Sequence, residues 1–186
     1  MVKLEKPNIR ELSLEALTTF FTERGEPAFR GKQVYEWLWL KPVLYFDDMT
    51  NLSKGLRQQL ADHFSLPALK EDLTQHSEDG TLKSRFKTFD GHLVEGVLIP
   101  TDERRTACVS SQIGCSLSCK FCATGYMDRQ RNLSFDEIYD EVVLINRQSE
   151  AVYGKKLSNI VFMGMGEPLL NYKNVLRAID KITSPE

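Results

Sequence analysis

The spacing of apolar residues changes after Pro67, and that change restricts the folds open to this chain. Before Pro67, large apolar side chains recur every three or four residues, as in Leu52, Leu56 and Leu60, which is the period of an amphipathic helix. From Thr81 onward the period is two, which predicts β-strands. The sequence therefore predicts a small helical part followed by a part built on a β-sheet.

Three helices are predicted in the first 66 residues. Ser13 is a typical N-cap for the first helix and Gly25 a typical stop, while the second helix follows Pro27 and ends at Pro42. A third helix ends before Pro67. The side chains expected to face inward are Leu14, Leu17, Phe20, Phe21, Val34, Trp37, Leu38, Leu52, Leu56, Leu60 and Phe64.

A β-hairpin is predicted next. Alternating residues 81–88 and 92–99 flank Asp90-Gly91, a dipeptide that favours tight hairpin turns with positive φ. Pro100 ends the second strand.

Two βα units are predicted after the hairpin. Strands are expected at 106–110 and 157–163, and a capping box at Ser134 and Glu137 opens the helix between them. This order is typical of a parallel sheet in an α/β fold. The inward residues of the two helices are expected to be Ile138, Val142, Ile145, Val175, Ile179 and Ile182.

Composition excludes several classes of protein. With 41% hydrophobic and 27% charged residues, the chain is neither collagenous nor disordered. Its longest apolar runs, such as 142–145, have four residues and cannot cross a membrane, and its start lacks a secretory signal, so a cytosolic location is expected. The net charge of −2 argues neither for nor against nucleic-acid binding.

Three of the four cysteines lie close together, as Cys115-x-x-x-Cys119-x-x-Cys122. In a cytosolic chain such spacing favours metal ligands over disulfides. A structural zinc site needs four protein ligands, whereas three thiolates can hold a cubane iron–sulfur cluster and leave one iron open. Buried cysteines, or a zinc site completed by His92, remain alternatives at this point.

A glycine-rich turn, Met163-Gly164-Met165-Gly166-Glu167-Pro168, follows the second predicted strand of the βα units. Glycines there would let the backbone approach a ligand at the carboxyl edge of the sheet, where α/β folds bind ligands. Such a turn is a weak signal alone. Because it follows the cysteine loop in this order and at this distance, the two motifs together are a strong signal.

These segments resemble a known family. The cysteine loop resembles the CxxxCxxC signature of radical S-adenosylmethionine enzymes, and residues 164–168 resemble their GGE-type motif. Residues 108–115, 131–133 and 164–171 together resemble the bacterial dual-specificity adenine-C2 methyltransferases of 23S rRNA and tRNA, which are class A radical methyltransferases. The resemblance extends over the whole chain.

The resemblance implies a partial (βα) radical-SAM barrel, containing its first two βα units, preceded by a small helical accessory domain and a β-hairpin. The expected domains are a helical accessory domain over 1–70, a hairpin connector over 71–105 and the first part of the barrel over 106–186.

The resemblance also implies a reaction and its cofactors. Cys115, Cys119 and Cys122 would hold a [4Fe–4S] cluster, while Gly166 and Glu167 would contact S-adenosylmethionine. In the family one S-adenosylmethionine methylates a cysteine, and a second is split to a 5′-deoxyadenosyl radical that activates this methyl group for addition to C2 of adenine. The implied partners are 23S rRNA, tRNA and an electron donor such as flavodoxin.

Glu95 and Cys108 match two catalytic residues of the family. The resemblance implies that Glu95 accepts the proton from C2 and that Cys108 breaks the protein–RNA crosslink by forming a disulfide. Taken alone, Cys108 reads as a small buried residue, and Glu95 fits a solvent-facing carboxylate equally well. Glu95 shares the strand parity of Val97 and Ile99, which predicts that its side chain faces inward.

Contacts with RNA phosphates or bases are assigned to exposed basic and aromatic residues. A solvated strand face is the simpler interpretation of the basic stripe, and helix packing is the simpler interpretation of the tryptophans. The candidates are Arg129 and Arg131 after the cysteine loop, the stripe Lys83, Arg85 and Lys87, and the pair Trp37 and Trp39.

One departure from the family limits these expectations. No cysteine follows Cys122, so the methyl-carrying cysteine is not in this sequence, and we expect an N-terminal portion that turns nothing over alone. Adenine-C8 methyltransferases share the cysteine loop but carry alanine where Pro168 stands, which favours the C2 enzymes. A non-catalytic RNA-binding module with a structural zinc is the alternative from another class.

Overall fold

The structure is a computed structural model that describes residues 6–41 and 43–183. Pro42, the predicted end of the second helix, lies outside the described residues, as do the first five and last three residues. The described chain divides into two compact units, one within residues 6–67 and one within residues 68–183. The helices are α1 (Leu14–Thr22), α2 (Phe29–Trp39), α3 (Lys54–His63), α4 (Phe135–Tyr153) and α5 (Tyr172–Thr183). The strands are β1 (Lys70–His76), β2 (Leu82–Lys87), β3 (Leu93–Pro100), β4 (Arg105–Cys108), β5 (Gln112–Ile113), β6 (Arg131–Asn132) and β7 (Asn159–Val161).

The first unit contains the three predicted helices. The Ser13 hydroxyl accepts the Ala16 backbone N–H at 3.1 Å and so caps α1, as predicted. Trp39 is buried at the end of α2, whereas Trp37, which we expected to face inward, is only half-buried and donates its indole N–H to Asn51. The core of this unit consists of Ile9, Leu17, Phe21, Val34, Leu38, Met49 and Leu60.

The second unit contains a five-stranded sheet in the order β1-β2-β3-β4-β7. The pairs β1–β2, β2–β3 and β3–β4 are antiparallel, and β4–β7 is parallel with α4 as its crossover. The predicted hairpin corresponds to β2 and β3, with Gly91 at φ +85° in its turn. The hairpin lies in the same sheet as the βα strands, and β1, which has no apolar alternation, was not predicted.

Helix α4 packs on one face of this sheet. The buried residues of β3 are Val94, Gly96 and Leu98, and a Cβ on Gly96 would lie 2.8 Å from the Ile145 side chain. Glu95 therefore belongs to the other face, and the prediction that it faces the core is wrong. Both faces of β3 carry aliphatic residues, so parity alone did not distinguish them.

The predicted capping box of α4 is present. The Glu137 carboxylate accepts hydrogen bonds from the backbone N–H of Ser134 at 2.9 Å and from the Ser134 hydroxyl at 3.1 Å. Across residues 6–41 and 43–183, no helix has the length and apolarity needed to cross a bilayer.

Candidate functional site

A short two-stranded ribbon frames the cysteine loop. β5 and β6 pair antiparallel through Gln112 with Asn132 and Ile113 with Arg131, and the loop runs between them. Gly114 starts the loop at φ +73°, and a Cβ there would lie 2.2 Å from the Asp128 carbonyl oxygen. The two ends of the loop can therefore approach closely only because this position is glycine.

The three cysteines of the loop are free thiols with partly exposed side chains. Cys115 Sγ accepts the Leu117 backbone N–H at 3.4 Å. Hydrogen bonds from the Gly125 and Thr124 backbones lower the pKa of Cys122. Backbone donors directed at sulfur stabilise thiolates and are also used around iron–sulfur clusters, so this donor set fits such a cluster.

In the part of the chain that the structure describes, no three histidine, cysteine or acidic side chains converge on a single point suited to one metal ion. His92, the residue proposed to complete a zinc site, lies in the β2–β3 turn, with Nε2 3.9 Å from Asp90 Oδ2. In a cubane each thiolate binds a different iron, so the sulfurs need not meet at one point.

The glycine-rich turn is bonded to the start of the cysteine loop. The Ser111 and Gln112 backbone N–H groups donate to the Met165 carbonyl at 2.9 and 3.2 Å, and the Glu167 N–H donates to Gln112 Oε1 at 2.9 Å. Gly166 has φ +88°, and a Cβ there would lie 2.4 Å from the Gln112 side chain. The structure therefore brings the predicted S-adenosylmethionine turn and the predicted cluster loop together.

Cys108 lies at the end of β4, beside the same turn. A hydrogen bond from the Met163 backbone reaches its thiol, but burial has the larger effect and raises the pKa of Cys108. In the β3–β4 register Cys108 is opposite Val97, two residues from Glu95. Cys108 and Glu95 therefore share the sheet face that α4 does not cover.

The predicted basic stripe lies on that same exposed face, and two of its three cations are paired. Lys83 Nζ is 2.8 Å from Glu95 Oε2, and Arg85 lies 2.5 Å from Asp72 Oδ2. These contacts agree with the simpler interpretation of a solvated, charged face. Lys87 is exposed beside them.

Arg131 has a different environment from the one predicted. Its guanidinium donates to both oxygens of Asp90 at 2.8 Å and to both oxygens of Glu137 at 2.6 and 2.7 Å. The side chains are only 16%, 4% and 1% exposed, respectively. The prediction that Arg131 binds RNA phosphate is therefore wrong, because its charge and its donors are already used inside the protein. Arg129 is exposed and donates to Asn132 Oδ1 at 3.0 Å.

Several buried polar residues around the site were not predicted. Asn171 donates from its amide to the Ser111 and Leu133 carbonyls at 2.7 and 2.8 Å, which ties the segment after the turn to both strands of the ribbon. Ser110 and Glu141 form a second connection, which joins β3 and the glycine-rich turn to α4. The one signal for Glu141 in the sequence is its position within the apolar stripe of α4, next to Val142.

Large apolar side chains stand exposed around the site. Phe121, next to the third cysteine, is 94% exposed, Met163 is 79% exposed and Tyr126 is 77% exposed. Exposed apolar side chains grouped at a polar site are typical of a surface that contacts a ligand or another molecule.

Comparison with known proteins identifies relatives for both units. Residues 7–66 match the family model described as the ribosomal RNA large subunit methyltransferase N-terminal domain. The probable dual-specificity RNA methyltransferase RlmN of Cytophaga hutchinsonii is 59% identical over 99% of this chain and 50% of its own length. The corresponding protein of Christiangramia forsetii is 57% identical over the whole chain and 53% of its own length.

Over its whole length the chain is similar to proteins named as dual-specificity RNA methyltransferases. It spans about half the length of the curated relatives it matches. The crystal structure of a radical SAM methyltransferase from Sphaerobacter thermophilus superposes with a TM-score of 0.83 at 37% identity, covering 95% of this chain and 52% of that one. The resemblance found in the sequence and the expected α/β fold are both confirmed.

Proposed function

We propose that this chain is part of an enzyme that methylates C2 of adenine in 23S rRNA and in tRNA, with S-adenosylmethionine and a [4Fe–4S] cluster as cofactors. The observation that carries the proposal is the set of hydrogen bonds between Gln112 of β5, the strand that leads into the cysteine loop, and the Met165–Glu167 turn. These bonds bring the two cofactor-binding segments to one edge of the sheet. The names of the relatives support the RNA substrates.

The cofactor roles are those that the family resemblance implies, and this arrangement supports them. Cys115, Cys119 and Cys122 would hold the cluster and leave one iron open. When bound, the cluster supplies the electron that splits S-adenosylmethionine. By the same resemblance Gly166 and Glu167 would contact the S-adenosylmethionine, and the positive φ of Gly166 at the carboxyl edge of the sheet is consistent with a ligand-binding turn.

Glu95 and Cys108 would act on the RNA from the exposed sheet face. Glu95, whose side chain is 45% exposed, would take the proton from C2 of adenine, and the Lys83 ammonium, 2.8 Å from Glu95 Oε2, would hold this side chain in position. The Cys108 thiolate would attack the sulfur of the methyl-carrying cysteine in the protein–RNA crosslink, since a thiolate is the attacking species in such a step. A disulfide would form as the sulfur–carbon bond breaks, and the electron pair left on the RNA carbon would take up a proton to complete the methyl group. Lys87 and Arg129 are exposed, and we retain these two predicted cations for phosphate contacts. We also propose that this activity takes place in the cytoplasm, where its RNA substrates lie.

The proposal is tested by reconstituting the chain with iron and sulfide without oxygen. We expect a brown protein with about four irons per chain, and loss of this absorbance in Cys115→Ser, Cys119→Ser and Cys122→Ser variants. A Cys108→Ser variant is the matched control and should keep the absorbance. A colourless protein that retains zinc would overturn the cluster assignment.

The position of methylation is tested in the full-length protein that contains this chain. Mass spectrometry of RNA treated with that protein, reductant and S-adenosylmethionine should show 2-methyladenine. Methylation at C8 instead would contradict the proposed substrate position.

A further inference from the structure

Ser110 is a buried junction between the segments of the candidate site. Its hydroxyl donates to the Glu95 carbonyl oxygen at 2.6 Å and accepts the Met165 backbone N–H at 2.8 Å. It therefore connects β3, at the residue proposed to take the proton, with the turn proposed to bind S-adenosylmethionine. Ser110 itself follows Cys108 by two residues.

Glu141 of α4 supports this junction from behind the sheet. Its two carboxyl oxygens lie 3.2 and 3.1 Å from the Ser110 backbone nitrogen, whose N–H they accept, and the residue is fully buried. Two glycines leave the necessary space, since a Cβ on Gly96 would lie 2.7 Å from Glu141 Oε1 and one on Gly164 would lie 2.6 Å from Ser110 Oγ. A side chain at Gly96 would therefore collide with Glu141, and one at Gly164 would collide with Ser110.

The surroundings of Glu141 do not favour a charged carboxylate. Among the described residues no cation forms an ion pair with Glu141. The titratable groups that interact electrostatically with it are Glu137, on the same helix, and the Cys108 thiol on β4. Arg131 already pairs with Glu137. Burial raises the pKa of Glu141 well above its usual range, although the Ser110 N–H works in the opposite direction.

We propose that Ser110 and Glu141 are positioning residues of the site, and that Glu141 does this as a neutral carboxylic acid. The carbonyl oxygen of the neutral acid accepts the Ser110 N–H and fixes the Ser110 backbone. The Ser110 hydroxyl can then hold the Glu95 carbonyl and the Met165 N–H in place. A neutral group behind Cys108 also avoids placing a negative charge next to a thiol that must lose its proton. The meaning of this positioning rests on the proposed function, but its tests need neither cluster nor turnover.

The charge state of Glu141 is tested by alkylation of Cys108 as a function of pH, in the apo chain, with peptide mass spectrometry to separate Cys108 from the other cysteines. A Glu141→Gln variant should fold and leave the midpoint of Cys108 alkylation unchanged, as should the control Glu150→Gln at an exposed position of the same helix. A midpoint lower by about one pH unit would show that Glu141 is an anion and overturn the proposal.

A measurement on the unsubstituted chain keeps the test independent of folding. The carboxyl carbon resonance of Glu141 should stay at its protonated position between about pH 5 and pH 8, and a titration in this range would contradict the neutral acid. Failure of Glu141→Gln to fold would count against it as well, because an amide of the same size replaces a neutral acid.

The junction is tested by hydrogen exchange in Ser110→Ala. We expect amide exchange of Met165 to accelerate about tenfold, since its N–H loses its acceptor. The matched control is Ser149→Ala, because Ser149 is also buried in this unit and donates to the Lys155 carbonyl at 2.6 Å, away from the site. Equal exchange of Met165 in both variants would overturn the positioning role. Loss of cluster uptake in the earlier experiment would leave these results unaffected.

Discussion

Arg131 shows how a single residue can fix the loop that carries the candidate cluster ligands. It lies on β6, where the loop ends, and its guanidinium joins Asp90 in the hairpin turn to Glu137 in the first turn of α4. Burial opposes the charge on Arg131, but the hydrogen bonds that it donates to Glu137 and Asp90 hold its pKa above the usual range. Three elements distant in sequence are therefore joined by one cation.

We expect Arg131→Ala to lower the free energy of unfolding by about 3 to 5 kcal/mol, because the substitution leaves two buried carboxylates without their cation. Denaturant unfolding followed by circular dichroism measures the change. Arg129→Ala is the control, since Arg129 is exposed on the same loop, and its effect should stay within about 0.5 kcal/mol. Similar effects of the two substitutions would contradict this account.

The same network predicts a dependence of stability on acid. Burial works to raise the pKa of Asp90, but hydrogen bonds from Arg131 and Thr88 outweigh it and hold the pKa at about 2. An unfolded aspartate titrates near pH 3.9, so the folded state gains stability above that pH and loses it as the pH falls toward 2.

Unfolding free energies of the unsubstituted chain and of Asp90→Asn should therefore differ by a constant amount above about pH 4. The difference should shrink by about 2 kcal/mol as the pH falls from 4 to 2, as the lowered pKa requires. A difference that stays constant through this range would show that Asp90 is not the group responsible.

At the scale of elements, the sequence predicted what depends on local pattern. The N-cap at Ser13, the capping box at Ser134 and the turn at Gly91 each depend on a few neighbouring residues, and each is present. Strand β1 was missed because its side chains are nearly all exposed and show no apolar alternation. The face of Glu95 was misjudged because the helix that covers β3 comes some 40 residues later in the chain.

Closure of the cysteine loop depends on the glycine at position 114. Gly114→Ala should reduce iron uptake several-fold, because its Cβ would collide with the Asp128 carbonyl and separate the ends of the loop. Any residue other than glycine at this positive φ also costs about 1 to 2 kcal/mol.

The matched control is Gly154→Ala, at the end of α4. Gly154 has φ +63°, but nothing lies within 4 Å of its Cβ position, so the substitution carries the backbone cost without the collision. Iron content after anaerobic reconstitution should stay normal in this variant. Equal iron content in both variants would mean that closure of the loop at Gly114 does not support the cluster site.

At the scale of the whole molecule, the candidate site depends on pairings between residues far apart in sequence. Gln112 meets Glu167, and Arg131 meets Asp90, 41 residues away. No local pattern reports such pairings, so the motifs indicated which residues are candidates for cofactor binding but not what holds them in place. The resemblance supplied the proposed roles of Glu95 and Cys108, and the register of β3 with β4 shows that the two lie on one face.

The helical unit carries its own prediction. Residues 7–66 match a family model by themselves and have a buried core of their own, so residues 1–67 expressed alone should fold and unfold cooperatively. A unit of this size has little stability in reserve. Leu60→Ala, which removes a fully buried side chain, should cost about 2 to 5 kcal/mol and abolish the transition.

Thermal unfolding followed by circular dichroism at a helical wavelength tests this expectation. The matched control is Leu40→Ala, because Leu40 is 48% exposed and its truncation leaves no cavity in the core. Its transition should stay close to that of the unsubstituted unit. A helical signal that declines gradually with temperature in the unsubstituted unit, in Leu60→Ala and in Leu40→Ala would contradict cooperative folding. A packed core around Leu60 requires a sharp transition in the unsubstituted unit, and truncation of Leu60 should remove that transition.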